Sequence, residues 1–274
     1  MENSKIGFIG GGNMAASLIG GLLDGGAPAE NIVVGEPNPD RQQWLEQKFG
    51  IAVTDNNADV IAQSDVVIMA VKPQQLKAVV EALAGALQTS KPLLISIAAG
   101  VRQTDMQRWA GGDLAIVRVM PNTPALVGAG AAGLYANGFV DDDQKALAQA
   151  ILQAVGIAVW VTEESELDLV TAISGSGPAY FFFLMELMES AAVKHGMDID
   201  QARLLTLETA LGAAKLALLS DEGPAELRRK VTSPGGTTEA ALTSMQEGKL
   251  PEIIELAICA ATERSRELAK ELGE

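Results

Sequence analysis

Through roughly the first 160 residues, short apolar runs alternate with amphipathic stretches, the pattern of β-α units laid on a parallel sheet. The apolar runs predict strands at 5–9, 32–36, 51–53, 66–70, 93–97, 115–119, 131–135 and 158–161, with helices between most of them at 14–24, 39–49, 74–87 and 142–154. After residue 161 the strand signal stops. The rest reads as helix, with turns at 174–178, 195–199, 220–224, 233–236 and 248–251. A boundary near Glu163 follows, dividing the chain into 1–162 and an all-helical 163–274. The middle helices of the second part carry apolar residues around most of their circumference, more than a small lone bundle can bury, which predicts dimerisation through this region.

Composition narrows the class. Hydrophobic residues make up 48% of the chain, enough for a substantial core. Twenty Lys and Arg against 35 Asp and Glu leave a formal charge of -15, so nucleic acid and anionic membrane are poor partners. One His and one Cys cannot build a His/Cys zinc site, and Cys259, in an apolar helical pattern, is expected to be a buried thiol. The apolar start 6–23 does not read as a signal peptide, because six glycines and an Asn interrupt it and only Lys5 precedes it. Segments 179–193 and 202–219 carry Glu186, Glu189, Arg203, Glu208 and Lys215, which argues against a membrane span and for a cytoplasmic protein.

The first candidate chemistry is Gly10-Gly11-Gly12-Asn13-Met14-Ala15, a Gly-x-Gly-x-x-Ala sequence directly after a strand and opening a helix. Gly10 permits the tight turn, Gly12 lets backbone approach a pyrophosphate, Ala15 allows close helix packing, and the helix N-terminus with Asn13 and Met14 offers free N–H donors. This predicts a Rossmann-type doubly wound sheet binding a dinucleotide. At the end of the second strand, Glu36 stands close to the acidic position of NAD sites, while Asn38 and Arg41 follow in a turn able to hold a 2′-phosphate. NADP is favoured on that basis, although Arg41 could be a solvated residue of the next helix.

Two small-residue loops end later strands: Ala70-Val71-Lys72-Pro73, where Lys72 could contact phosphate or simply stand exposed, and Ala98-Ala99-Gly100. Met120-Pro121-Asn122-Thr123-Pro124 ends the sixth, and Asn122 is its candidate ligand contact. In the second part, Ser174-Gly175-Ser176-Gly177-Pro178 and Ser233-Pro234-Gly235-Gly236-Thr237-Thr238 each precede a helix, and together they form a candidate anion nest. Either alone would pass for an ordinary capped helix. His195 sits in a Lys-His-Gly helix end suited to capping, and no Lys, Arg or His falls between Lys145 and Lys194. Any chemistry must therefore work through cofactor placement and hydroxyl or backbone hydrogen bonds.

These motifs, with Lys5-Ile6-Gly7-Phe8-Ile9-Gly10 at the start and Val231-Thr232-Ser233-Pro234-Gly235-Gly236-Thr237-Thr238 as the most specific, resemble in order those of the pyrroline-5-carboxylate reductase family over nearly the whole chain. The resemblance implies reduction of the C=N bond of 1-pyrroline-5-carboxylate to L-proline, the last step of proline biosynthesis. It makes Thr238 the partner of the ring nitrogen, and assigns substrate contacts to Glu164, Ser176, Val231, Ser233 and the backbone of Gly236 and Thr237. Asn57 becomes a ribose or phosphate contact beside Gly10, Gly12, Asn13, Met14, Asn38, Arg41, Ala70, Lys72, Pro73, Ala98 and Asn122. NADP(H) is implied as the preferred cofactor with NAD(H) possible, and the oligomer as a homodimer built into a higher assembly. Glu36 departs from the pattern, because a carboxylate there repels a 2′-phosphate. A β-hydroxyacid dehydrogenase would need a Lys on the first long helix of the second part, and 180–193 has none; a non-catalytic nucleotide sensor would not need the 233–238 motif.

Overall fold

A computed structural model of the chain describes residues 4–274. Eight strands form one sheet: β1 (Ile6–Ile9), β2 (Ile32–Gly35), β3 (Ala52–Thr54), β4 (Val66–Met69), β5 (Leu93–Ser96), β6 (Ile116–Met120), β7 (Gly130–Ala136) and β8 (Gly156–Trp160), in the order 3-2-1-4-5-6-7-8. Each lies within two residues of its expected place. The first six are mutually parallel, as a doubly wound sheet requires, and the order reverses between β1 and β4. β7 runs antiparallel to β6, and β8 is parallel to β7. The segment between Met120 and Gly130 holds only a short 3-10 turn, Thr123–Val127, which is too little chain for the crossover a parallel neighbour would need.

The short apolar runs are nearly continuous because the central strands are buried on both faces. Phe8, Val34, Ile68 and Ile95 feed a cluster with Leu18 and Ile19 of α1 (Asn13–Asp24) and Ile151 of α6 (Asp142–Gln153). Their neighbours Ile9, Val67, Met69 and Leu94 feed a second cluster with Val60 of α3 (Asn57–Ala62), Leu76 and Val80 of α4 (Pro73–Ser90) and Trp109 of α5 (Gln103–Ala110). Helix α2 (Pro39–Phe49) starts where Asn38 accepts from the Asp40 and Arg41 amides, and ends at Gly50 with φ 67°. α3 and α5 fill the two crossovers for which the sequence pattern names no helix.

Beyond β8 come α7 (Glu166–Val170), a π-helical turn (Thr171–Gly175), α8 (Gly177–Lys194), α9 (Ile199–Leu219), α10 (Pro224–Lys230), α11 (Thr237–Glu247) and α12 (Leu250–Gly273). The expected turn at 174–178 is thus partly the π turn. Two compact units result: the sheet unit extends to Ser176 and takes back Ala260–Glu274, and the second is Gly177–Cys259. The unit edge therefore falls later than the change in sequence character near Glu163. The reason is a set of buried polar bonds tying α7 and the end of α12 to the sheet unit. Asp168, 1% exposed, accepts from Arg102 Nη2 and from Ser265 Oγ, each at 2.8 Å. Glu164 accepts from Arg118 Nη1 at 3.1 Å and from the Gln103 amide at 2.7 Å. Burial lowers the Arg118 pKa from its ordinary value, and Glu164 beside it opposes that shift.

The second unit buries little. α8 and α9 bury only Gly177, Ala202 and Thr206 among the described residues, while Phe181, Leu204 and Leu256 are 64%, 61% and 68% exposed. Cys259 is exposed too, contrary to the expected buried thiol, because its helix finds no apolar cover within one copy. The run Glu166–Lys194 is long and apolar enough to cross a bilayer by length and composition alone, despite Glu186 and Glu189.

Candidate active site

The glycine loop stands at the carboxyl end of β1, beside the reversal in strand order where open α/β sheets place ligands. Gly10 has φ 99°, and a Cβ there would lie 2.8 Å from the Ala70 carbonyl, so both backbone angle and space exclude a side chain. A Cβ on Gly12 would meet nothing within 4 Å, which leaves its backbone open to an approaching group. Gly12 caps α1 without any side-chain bond, and the first backbone bond of the helix is Ala16 N–H to Gly12 C=O. The amides of Asn13, Met14 and Ala15 therefore lie in an uncapped first turn, whose dipole favours an anion.

Gly11 links this loop to the end of β2. Its N–H donates to Glu36 Oε2 at 2.9 Å, and its C=O accepts from Arg41 Nε at 2.6 Å. Glu36 Oε1 accepts from the Asn38 amide at 3.0 Å. The Arg41 guanidinium lies 4.0 Å from the Trp44 ring centroid, and its Nη2 is buried without a partner. Asn38 uses its carbonyl as the cap of α2. Asn57 opens α3 with Oδ1 buried, unpartnered and packed against Gly35, whose lack of a Cβ makes room for it. An open glycine, an uncapped helix and two unmet polar atoms together fit a dinucleotide carrying phosphate at this edge.

The remaining loops of the same edge differ in how free they are. Ala70 donates its amide to Ile9 C=O, and exposed Lys72 and Pro73 open α4, again without a side-chain cap. Ala98 is 3% exposed, and its amide points toward Ser96 Oγ at 3.4 Å. Asn122 is 9% exposed, with its amide group engaged within the protein: Nδ2 donates to Ser174 C=O at 3.0 Å and Oδ1 accepts from the Ala131 amide at 2.8 Å. It joins β6, β7 and the π turn, where the Met120 methyl also occupies the space a Cβ on Gly175 would need. Glu164 is likewise held by Arg118 and Gln103, and the Ser176 amide donates to Thr171 C=O at 2.7 Å.

In the second unit, Val231, Ser233, Gly236, Thr237 and Thr238 gather at the start of α11. Gly235, with φ 69°, donates to Glu239 Oε2 at 2.6 Å, and Gly236 donates to Ser233 C=O at 3.0 Å. The first helical bond is Ala240 N–H to Gly236 C=O, and Gly236 provides no side-chain cap. The amides of Thr237 and Thr238 are therefore available to an anion, whereas that of Gly236 is already engaged.

Two family models match the chain: pyrroline-5-carboxylate reductase dimerisation over residues 164–268, and NADP oxidoreductase, coenzyme F420-dependent, over 5–100. The pyrroline-5-carboxylate reductase of Pseudomonas aeruginosa is 50% identical over 274 residues, the whole of both chains. That of Pasteurella multocida is 45% identical, over 98% of this chain and 99% of its own. The chain belongs to the pyrroline-5-carboxylate reductase family. Among solved structures, the family member from Coxiella burnetii superposes with TM-score 0.94 at 44% identity, covering 97% of this chain and 98% of that one. The Plasmodium falciparum enzyme, solved with NADP bound, gives 0.86 at 31% identity, over 98% and 99%.

As a member of this reductase family, the chain is an oxidoreductase with a nicotinamide cofactor and a dimerisation region. Two residues of its cofactor edge were not anticipated: Gly11, which both Glu36 and Arg41 grip, and Trp44, on which Arg41 lies. A signal existed for Trp44, which follows Arg41 by about one helical turn; the role of Gly11 shows only in space, where a Cβ would sit 2.5 Å from Leu45.

Proposed function

We propose that this chain reduces 1-pyrroline-5-carboxylate to L-proline, with NADP(H) as the preferred cofactor and NAD(H) as an alternative. The observation that carries this reading is the full-length match at 50% identity to a reductase of that name. A nicotinamide held by these residues would supply the hydride for the C=N carbon of the N-protonated ring, whose nitrogen then becomes a neutral secondary amine. The protein's own groups do the rest. Gly10, Gly12 and the amides of Asn13 and Met14 hold the pyrophosphate, and Asn57, Asn38 and Arg41 the adenosine ribose and 2′-phosphate. Ala70, Lys72, Pro73 and Ala98 border the nicotinamide half, while Asn122 acts by fixing the π turn.

On the substrate side, the Thr237 and Thr238 amides bind the carboxylate, and Gly236, Val231, Ser233 and Ser176 shape its surroundings. The Thr238 hydroxyl hydrogen-bonds the ring nitrogen. Glu164 serves this site indirectly, by holding Arg118 and the start of α5. A protonated iminium is already electrophilic and its product needs no alkoxide proton, which agrees with the lack of any Lys, Arg or His between Lys145 and Lys194. In sequence terms the dinucleotide-binding part is 1–162 and the helical substrate and dimerisation part 163–274, although the compact units divide after Ser176. The protein works in the cytoplasm as a homodimer within a higher oligomer of dimers, and its apolar helices are covered by other copies, with no membrane or nucleic acid as partner. The test is oxidation of NADPH and NADH measured side by side with pyrroline-5-carboxylate. Turnover with a higher kcat/KM for NADPH supports the whole reading; no turnover with either cofactor overturns the activity.

A further inference from the structure

Arg41 stands in the first turn of α2, where its amide donates to the Asn38 cap at 3.3 Å. The helix dipole repels a cation at that end, so the position answers to something outside α2. The side chain reaches back to the glycine loop, and its Nε donates to Gly11 C=O at 2.6 Å. One bond at Nε fixes a point of the guanidinium but not its plane. The plane is held by Trp44, about one helical turn on, with Arg41 Cζ lying over the ring 4.0 Å from its centroid. Trp44 is itself held, although exposed. Phe49 meets it edge to face at 5.8 Å between centroids and packs on the apolar cluster of the sheet unit, and Lys48 Nζ lies 4.6 Å from the Trp44 centroid. A line of contact thus runs from the core through Phe49 and Trp44 to Arg41, and it ends in Nη2, buried without a partner.

We infer that Trp44 is a positioning residue for the choice of cofactor: its ring holds the Arg41 guanidinium in the orientation that meets a 2′-phosphate, and so favours NADP(H) over NAD(H). The inference rests on the reading above that Arg41 contacts that phosphate. Two physical effects carry it. An arginine side chain has many rotamers, and stacking it on a ring before the ligand arrives lowers the ordering cost of binding. Only a cofactor bearing the 2′-phosphate uses the guanidinium, so only that cofactor gains. The second effect is competition. Glu36 grips the N–H of the glycine whose C=O Arg41 holds, and a guanidinium released from the ring has that carboxylate as a rival partner. Stacking keeps Nη2 available instead.

Titration calorimetry with NADP and with NAD tests this on the full chain, without turnover and so independently of the imine substrate. The variants are Trp44→Ala, Trp44→Phe, Arg41→Ala and the double variant Arg41→Ala/Trp44→Ala. Trp44→Ala should weaken NADP binding about three- to fivefold, the loss expected for one partly exposed cation–π contact, and leave NAD binding as it was. Trp44→Phe should restore most of the loss, since a smaller ring still offers a face. In the Arg41→Ala background, Trp44→Ala should add nothing. Equal weakening of both cofactors by Trp44→Ala, or a full further loss in the Arg41→Ala background, would overturn the inference, because the ring would then act without Arg41. An Arg41→Ala variant that loses its preference for NADP beside a Trp44→Ala variant that keeps it would overturn the inference alone. Unchanged preference in Arg41→Ala would overturn the phosphate role of Arg41 with it.

Discussion

In the sheet unit, β1, β2, β4 and β5 are buried along their whole length and feed two apolar clusters, whereas α8 and α9 of the second unit leave most of their large apolar side chains half exposed. Apart from one face of its edge strand β8, the first unit is finished by its own chain; the other is not. The glycine loop, Glu36 and Arg41 are consequently positioned by a core that one copy supplies, while the start of α11 sits in a unit whose packing needs a partner. Cofactor binding and substrate binding should therefore respond differently to the same perturbations.

The largest contrast is expected between two phenylalanines. Phe8 is 0% exposed, and Phe8→Ala should cost about 3–5 kcal/mol of unfolding free energy through the cavity it leaves. Phe182 is 63% exposed, and in dilute, unassociated chain Phe182→Ala should stay within about 0.5 kcal/mol, its effect appearing only as weaker association. Urea unfolding at two protein concentrations separates the two. Equal losses in the dilute chain would mean that the second unit has a core of its own.

Next in size is the polar clasp that carries α7 and the end of α12 with the sheet unit. Asp168→Ala removes the acceptor of both Arg102 and Ser265, which should cost about 2–3 kcal/mol, less than a fully buried pair because the Arg102 side chain is 24% exposed. Restoration by Asp168→Asn should be partial, since an amide can still accept from Ser265 but no longer pairs with a guanidinium. Loss comparable to an ordinary surface substitution would detach α7 from the stability of the sheet unit.

The two halves of the active site come apart kinetically in the third test. Thr238→Ala should lower kcat/KM for pyrroline-5-carboxylate ten- to a hundredfold, about 1.4–2.7 kcal/mol, and leave nucleotide affinity as it was. Dilution of the unmodified chain below its dimer dissociation constant should do the same, because the start of α11 depends on the second copy and the glycine loop does not. Nucleotide affinity that fell in parallel with turnover would erase the distinction between the units.

How much of this was legible in the sequence follows the same line. The central strands could be placed because burial on both faces writes a continuous apolar run, the partly exposed β3 and β8 from their short β-branched runs, and the glycine loop because its spacing is local. Strand direction is not written in such runs. The reversal at β7 was available only from the short, helix-free connection after Met120. Asn122 and Glu164 were recognised as special polar residues, but their partners Ser174, Ala131, Arg118 and Gln103 lie 9 to 61 residues away, and no local pattern records such pairings. The exposed Cys259 was misjudged for a related reason: an apolar helical pattern promises burial without saying which copy provides it.

The smallest effect concerns a choice made wholly within the finished unit. Glu36 and Arg41 hold the N–H and the C=O of Gly11, so a carboxylate and a guanidinium with a free Nη2 flank the same point of the loop. An added 2′-phosphate would meet both, gaining hydrogen bonds from Arg41 and suffering repulsion from Glu36. At separations near 5 Å in a solvated edge that repulsion is on the order of 1–2 kcal/mol. Glu36→Ser should therefore raise the ratio of kcat/KM with NADPH to that with NADH by about tenfold, and Arg41→Ala should lower it. The Gly11 and Asn38 amides lose a carboxylate partner in the first variant, so a modest fall in affinity for both cofactors accompanies the shift. The ratio is the decisive quantity: if Glu36→Ser leaves it unchanged, the carboxylate serves only to brace the loop, and selection of the cofactor lies with Arg41.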